Sequence, residues 1–278
     1  MTIRCIALRS QPPLIGGFKL EYDVWPRTRA ISMSLSWSIP AAGNLGLGTD
    51  EIHVWRASLN LAPTVLRHLE VTLAPDENSR ADRFVFAGDR GSFVAARGIL
   101  RELLGRYLQR PPSDIDFSYE RRGKPVYRDR SVESPIDFNL SHSHGRAVYA
   151  IARGRHLGVD VEMVRPAVAS EGIAERFFSQ RECAELRALP AHSQAEAFFN
   201  CWTRKEAYIK ARGDGLEIPL NSFDVTLAPG APERFLRGVE SRWHLVAFAA
   251  YEDYPAALVY DGAPCKIHFR SWAEPEGW

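Results

Sequence analysis

Three carboxylates carry most of the chemistry this sequence could do. Asp160 and Glu162 stand two apart in Gly158-Val159-Asp160-Val161-Glu162. On a strand both leave from one face, while Val159, Val161 and Met163 take the other. Adjacent carboxylates repel: on an exposed face water tolerates the repulsion, and facing inward it is relieved by a divalent cation with oxygen ligands, as magnesium prefers. The third is Glu206. With Phe198 to Lys210 read as helix, Ala195, Phe199, Trp202, Glu206 and Ile209 share one stripe, so a charge interrupts an apolar face. Burying it costs on the order of several kcal/mol unless a cation, a metal or hydrogen bonds compensate. Two readings stand: a partner elsewhere in the chain, or a rim position paired with Lys210 at i+4, worth a few tenths of a kcal/mol. A second feature is the basic run Arg80, Arg83, Arg90 and Arg97, interleaved with Phe84, Phe86 and Phe93. It is either a solvated face or a cluster converging on an anionic ligand.

The elements that must position these groups follow from periodicity. From Ser92, the residues Phe93, Ala96, Leu100, Leu103, Leu104, Tyr107 and Leu108 keep helical spacing up to Pro111-Pro112. Ser179-Gln180-Arg181-Glu182 is a capping box opening another helix. The helix bearing Glu206 ends at Gly213-Asp214-Gly215, where glycine accepts the left-handed stop. Strands are expected at Glu51 to Leu59, Ile115 to Tyr119, Ile136 to Leu140, Arg146 to Ala152 and Leu157 to Met163. After Pro219 they are expected at Phe223 to Leu227, Trp243 to Tyr251, Ala256 to Tyr260 and Lys266 to Ser271. Turns are expected at Arg122-Gly123-Lys124-Pro125, Ser141-His142-Ser143-His144-Gly145 and Arg153-Gly154.

Composition limits the class. A chain of 278 residues with 45% hydrophobic and 25% charged residues has the makeup of a soluble globular protein, long enough for one large domain or two packed halves. A net charge of +1 argues for neither nucleic acid nor membrane as partner, so any basic site must be local. Cys5, Cys183, Cys201 and Cys265 form no Cys-x-x-Cys pair, which argues against a structural zinc site or disulfide framework and fits a cytoplasmic protein. No apolar run reaches the ~18 residues of a spanning helix. Residues 1–48, with Pro12-Pro13, Gly16-Gly17, alternating serines from Ser32 to Ser38, and then Gly43, Gly46 and Gly48, read as an appendage ending in a linker.

In order, Gly123-Lys124-Pro125, Phe138-Asn139-Leu140-Ser141-His142-Ser143, Gly158-Val159-Asp160-Val161-Glu162, Phe177-Phe178-Ser179, and Trp202-Thr203-Arg204-Lys205-Glu206-Ala207-Tyr208-Ile209-Lys210 with Gly213-Asp214-Gly215-Leu216 resemble the motif set of the surfactin-type 4′-phosphopantetheinyl transferases. The resemblance runs from about Glu51 onward. It implies an α+β fold of two similar pseudo-twofold-related halves, 49–157 and 158–278, each a small mainly antiparallel sheet with packed helices. It implies transfer of phosphopantetheine from coenzyme A to a serine of an apo acyl or peptidyl carrier protein, releasing 3′,5′-ADP with Mg²⁺. Fatty-acid, polyketide and nonribosomal-peptide systems all present such carriers. The length resembles the two-half monomer rather than the trimer of single halves.

Carried residue by residue, the resemblance makes Asp160, Glu162 and Glu206 the metal ligands. Glu206 becomes the direct or water-mediated general base, and Lys124, Ser141, His142 and Lys210 become phosphate contacts. Arg83 and Arg90 fall where family members carry basic residues for the 3′-phosphate. One departure is His144, where glycine is common. Two other classes remain open at this point: a non-catalytic carrier- or nucleotide-binding module of the same fold, and a different metal-dependent phosphoryl or nucleotidyl enzyme.

Overall fold

The computed structural model describes residues 35–119, 123–127, 135–169, 172–213 and 218–275. Most of the expected appendage, Arg122 of the first turn, and Asp214, Gly215 and Leu216 of the last motif lie outside them. Eleven strands and seven helices alternate along the described chain. The strands are β1 (Glu51–Ser58), β2 (Ser118–Tyr119), β3 (Pro125–Val126), β4 (Ile136–Ser143), β5 (Arg146–Arg153), β6 (Leu157–Val161), β7 (Asp224–Val225), β8 (Phe235–Arg237), β9 (Trp243–Tyr251), β10 (Tyr254–Asp261) and β11 (Lys266–Ser271). The helices are α1 (Pro63–Glu70), α2 (Pro75–Ala81), α3 (Ala87–Leu108), α4 (Pro166–Ala169), α5 (Ile173–Phe177), α6 (Gln180–Ala188) and α7 (Ala191–Arg212). None is long and apolar enough to cross a membrane.

The two larger sheets run β11-β1-β5-β4 and β6-β10-β9. They meet face to face through one cluster in which Ile52, Val54, Val148, Ala150 and Ala152 of the first pack on Val159, Val161, Ala256 and Leu258 of the second. Alternate residues supply the outer faces. Trp55, Tyr149 and Ile151 share a core with Val94, Ile99 and Leu103 of α3, and Ala257 and Val259 share another with Phe198, Ala207 and Tyr208 of α7. The result is a mixed α+β architecture with helices outside two stacked sheets. β5 is buried on both faces, which is why Ala147 to Ala152 is an unbroken apolar run.

Between the named strands pairing is antiparallel except for β1 with β11. That exception crosses the expected division at 157/158, because β11 comes from the second half of the sequence and closes the edge of the first sheet. An uncovered β1 would leave a row of backbone donors and acceptors unpaired. Residues 35–48 are also tied to the body. Ser38 exchanges backbone bonds with Phe269 and Ser271 at 3.1 and 2.7 Å, and Arg106 donates to the Gly43 carbonyl at 2.8 Å.

Three local expectations change. Only His144 and Gly145 form the turn between β4 and β5, both at positive φ (43° and 74°), the pairing a two-residue type I′ hairpin requires. Ser141, His142 and Ser143 therefore belong to the strand and alternate across it. Helix α3 stops at Gln109 in the left-handed conformation (φ 55°), before the two prolines. The strands at 115–119 and 223–227 shrink to two residues each, β2 and β7.

Helix α7 lies directly on β6. A Cβ added at Gly158 would stand 2.3 Å from both the Ala207 carbonyl oxygen and the Ala211 nitrogen, backbone atoms that cannot rotate away. Gly158→Ala should therefore lower stability by at least the upper part of the ~1–3 kcal/mol range of overpacked cores, read as a drop in urea midpoint. An unchanged midpoint would show that helix and strand do not approach this closely.

Candidate active site between strands β4 and β6 and helix α7

β4 and β6 belong to different sheets, and a row of side chains joins them. On the face of β4 turned to β6, Asn139 accepts from the Val159 N–H at 2.9 Å through Oδ1. Ser141 Oγ donates to Asp160 Oδ1 at 2.7 Å. Ser143 Oγ donates to Glu162 Oε2 at 2.6 Å and accepts from the Met163 N–H at 3.3 Å. The period of two along each strand sets this correspondence.

From α7, Lys210 completes the centre. Its ammonium stands 2.5 Å from Asp160 Oδ1 and donates to Ser141 Oγ at 3.0 Å and to the Val159 carbonyl at 3.2 Å. These three contacts use all three donors of an ammonium group. The i+4 alternative pairs Lys210 with Glu206; the structure gives the lysine to Asp160. Lys124 arrives from the loop before β3 and donates to the Lys210 carbonyl at 3.3 Å, at the negative end of α7. Asp160, Glu162 and Glu206 are all buried, with 3, 8 and 9% of their surface exposed. Glu206 lies one helical turn before Lys210.

The other predicted residues fall outside this row. His142, half-buried, projects from the opposite face of β4, the side of Phe138 and Leu140. Arg83 is exposed after α2. Arg90 is neutralised in place, bonding Glu70 at 2.5 Å and Asp82 at 3.1 Å, and these bonds raise its pKa further.

The oxygen set suits a hard cation. Asp160 Oδ2 is buried and makes no hydrogen bond, an acceptor that a cation would satisfy. Among the described residues, however, the metal-ligating cluster whose atoms all lie within 4.8 Å of one another is Glu51, His53 and His268, not these carboxylates. Magnesium tolerates the looser set, because it keeps several waters and takes one or two carboxylates directly.

Comparison with known proteins bears on what such a centre does. Residues 55–154 match the model described as 4′-phosphopantetheinyl transferase, N-terminal, and residues 156–259 match that of the 4′-phosphopantetheinyl transferase superfamily. The chain is 41% identical over 224 residues to 4′-phosphopantetheinyl transferase HetI of Nostoc sp., covering 81% of this chain and 93% of that protein. The chain belongs to the 4′-phosphopantetheinyl transferase superfamily. It is also 35% identical to transferase Sfp of Bacillus subtilis over 56% of this chain and 66% of that one. With the human L-aminoadipate-semialdehyde dehydrogenase-phosphopantetheinyl transferase it shares 30% identity, over 57% of this chain and 54% of that protein. The centre spans both matched segments, with Lys124 and Ser141 from the first, and Asp160, Glu162, Glu206 and Lys210 from the second.

Sequence reasoning gave no role to Asn139, Ser143 or Lys205. The first two share the face of Ser141 by strict alternation, a signal hidden while the segment reads as a turn. Lys205 is fully buried: its ammonium contacts Glu182 at 2.8 Å and donates to the Leu220 and Phe223 carbonyls at 2.7 and 2.6 Å. Glu182 in turn accepts from the Val225 N–H and closes the capping box with Ser179. This network fixes α7 from the side away from β6 and so sets where Glu206 and Lys210 stand. Lys205→Met leaves Glu182 buried and uncompensated, and should cost about 3–5 kcal/mol. The double variant Lys205→Met/Glu182→Gln should recover part of that loss in chemical denaturation, giving a non-additive double-mutant cycle.

Proposed function

We propose that this transferase moves 4′-phosphopantetheine from coenzyme A to a serine hydroxyl of an apo carrier protein, with Mg²⁺ held by Asp160, Glu162 and Glu206. The observation that carries the reading is the buried Ser141–Asp160–Lys210 centre, built from both matched segments, with an acceptor left over on Asp160. A bound magnesium ion would neutralise the carboxylates and take up negative charge on the pyrophosphate.

The remaining chemistry belongs to the side chains. The carrier serine oxygen attacks the phosphorus that bears the pantetheine arm, the bond from that phosphorus to the bridging oxygen breaks, and 3′,5′-ADP leaves with the electron pair. Glu206 takes the serine proton directly or through one water. Lys210 and Lys124 bind phosphate oxygens as compact cations, and Ser141 offers a hydroxyl. Lys210 must release Asp160 to do so, exchanging one anion for another within a short swing of its stem. His142 meets the nucleotide from the other face of β4, and Arg83 contributes positive charge at the 3′-phosphate. Arg90 joins it only by giving up Glu70 and Asp82. The centre of the reading is a cytoplasmic monomer whose partners are coenzyme A and carrier domains of fatty-acid, polyketide or nonribosomal-peptide systems.

Incubation with Mg²⁺, coenzyme A and an apo carrier should add the mass of phosphopantetheine to the carrier. Glu206→Gln should slow this by about 10²–10⁴, the range of a lost general base, and Asp160→Ala should abolish it, with near-native circular dichroism in both. Ser143→Ala, which frees Glu162 from a 2.6 Å bond, should raise the Mg²⁺ concentration needed for half-maximal rate. A carrier of unchanged mass across several carrier types would refute the activity, and full activity in Asp160→Ala would refute the metal assignment.

A further inference from the structure

At the edge of the first sheet away from β4, a second group of ligating side chains stands outside the transfer chemistry. Glu51 and His53 are two apart on β1, and His268 on β11 is the parallel register partner of His53. The ligand atoms of the three all lie within 4.8 Å of one another. Glu51 Oε2 is 3.7 Å from His53 Nε2, and Glu51 Oε1 is 3.5 Å from His268 Nε2. That His268 nitrogen is buried and makes no hydrogen bond.

The surroundings fix how each group presents itself. Arg270 Nη2 lies 3.1 Å from His53 Nε2, and a guanidinium can only donate, so Nε2 is the unprotonated, accepting nitrogen. Nδ1 then carries the proton and donates to the Tyr107 hydroxyl at 2.6 Å, which also receives the Trp55 indole N–H at 2.9 Å. A neutral imidazole whose far nitrogen donates to a hydrogen-bond partner while its near nitrogen keeps an unprotonated lone pair is the arrangement metal-binding histidines show; here Arg270 donates to that lone pair. Burial and the Arg270 charge hold the His53 pKa down to about 3, keeping the ring neutral. Glu51 is oriented in turn by the Gly48 N–H at 3.0 Å, the chief cause of its lowered pKa.

We propose that Glu51, His53 and His268 form a binding site for a borderline divalent transition-metal ion such as Zn²⁺, separate from the carboxylate centre. Two imidazole nitrogens and one carboxylate are a known ligand set for zinc, and a poor one for magnesium. Arg270 donates to the His53 nitrogen that the ion would take, with its guanidinium over the Trp55 ring, 5.5 Å from the centroid, and on metal binding it would yield that lone pair. The bound ion would pin β11 to β1, where the two strands run parallel.

The test uses the full chain, stripped with chelator and titrated with Zn²⁺ against a chromophoric chelator, with a parallel absorption spectrum of the Co²⁺-loaded protein. The expected result is one tight equivalent of Zn²⁺ and nitrogen/oxygen-type Co²⁺ bands without thiolate charge transfer. His268→Gln and Glu51→Gln should each weaken binding by more than the roughly 10–100-fold that loss of an outer-shell partner costs. His268 is 43% exposed, so its variant should keep the metal-free melting temperature. No Zn²⁺ bound, affinity unchanged in both variants, or a thiolate band from a cysteine would each overturn the site.

Discussion

Helix α7 and strand β6 touch backbone to backbone, and the two sheets, the outer helix and the charged centre are all arranged around that contact. Position 158 has room for a hydrogen and nothing larger. Closing the helix onto the strand brings the ammonium of Lys210 to the strand's carbonyl and carboxylate, where a helix one residue's width further out would leave it in solvent. The contact therefore does two jobs: it excludes water from the carboxylates, and it supplies the positive charge that lets at least one of them remain there.

Burial of that much charge is repeated away from the centre. Glu77 accepts from Arg101 at 2.6 Å and faces Arg97 at 3.2 Å beneath α3, as Glu182 pairs with Lys205 beneath α7. Each pair also bonds loop backbone: Arg101 donates to the carbonyls of Pro112 and Ile115, and Lys205 to those of Leu220 and Phe223. Such pairs add little net stability over an apolar packing of the same volume. What they do here is fix where an irregular segment crosses a helix, by giving its carbonyls a charged donor from that helix. Both long helices are located by this means as well as by their apolar stripes.

Much of this was legible in the residues. The aromatic stripe of α7, the capping box at Ser179, the left-handed stop at Gly213 and the Asp-x-Glu alternation each have a local cause, and each appears where the spacing puts it. The segment Ser141 to Ser143 did not, because its serines, next to Gly145, are turn formers by type, and only the partner strand makes their alternation matter. Arg90 reads as part of a solvated face or of an anion-binding cluster, since its carboxylate partners lie 8 and 20 residues away in sequence. Lys205 draws no role from the sequence for a similar reason: its partner, Glu182, is on α6. Pairing of β11 with β1 has no local signature at all. Local chemistry writes its signal within a turn or two of chain; partners contributed by distant segments do not.

That last pairing bears on how the chain is made. Arg56 and Ser271, bonded side chain to side chain at 3.1 Å, are 215 residues apart. Until residues 266–271 have left the ribosome, β1 has a partner on one side only, and the first sheet waits with an open parallel edge while the second sheet and α7 can already form. Loop closure over such a span is slow relative to the local pairings of β4 with β5 and β9 with β10. The first-made part of the sheet is thus the last to be finished, and during synthesis its exposed edge is the surface most open to chaperones or to a neighbouring nascent chain.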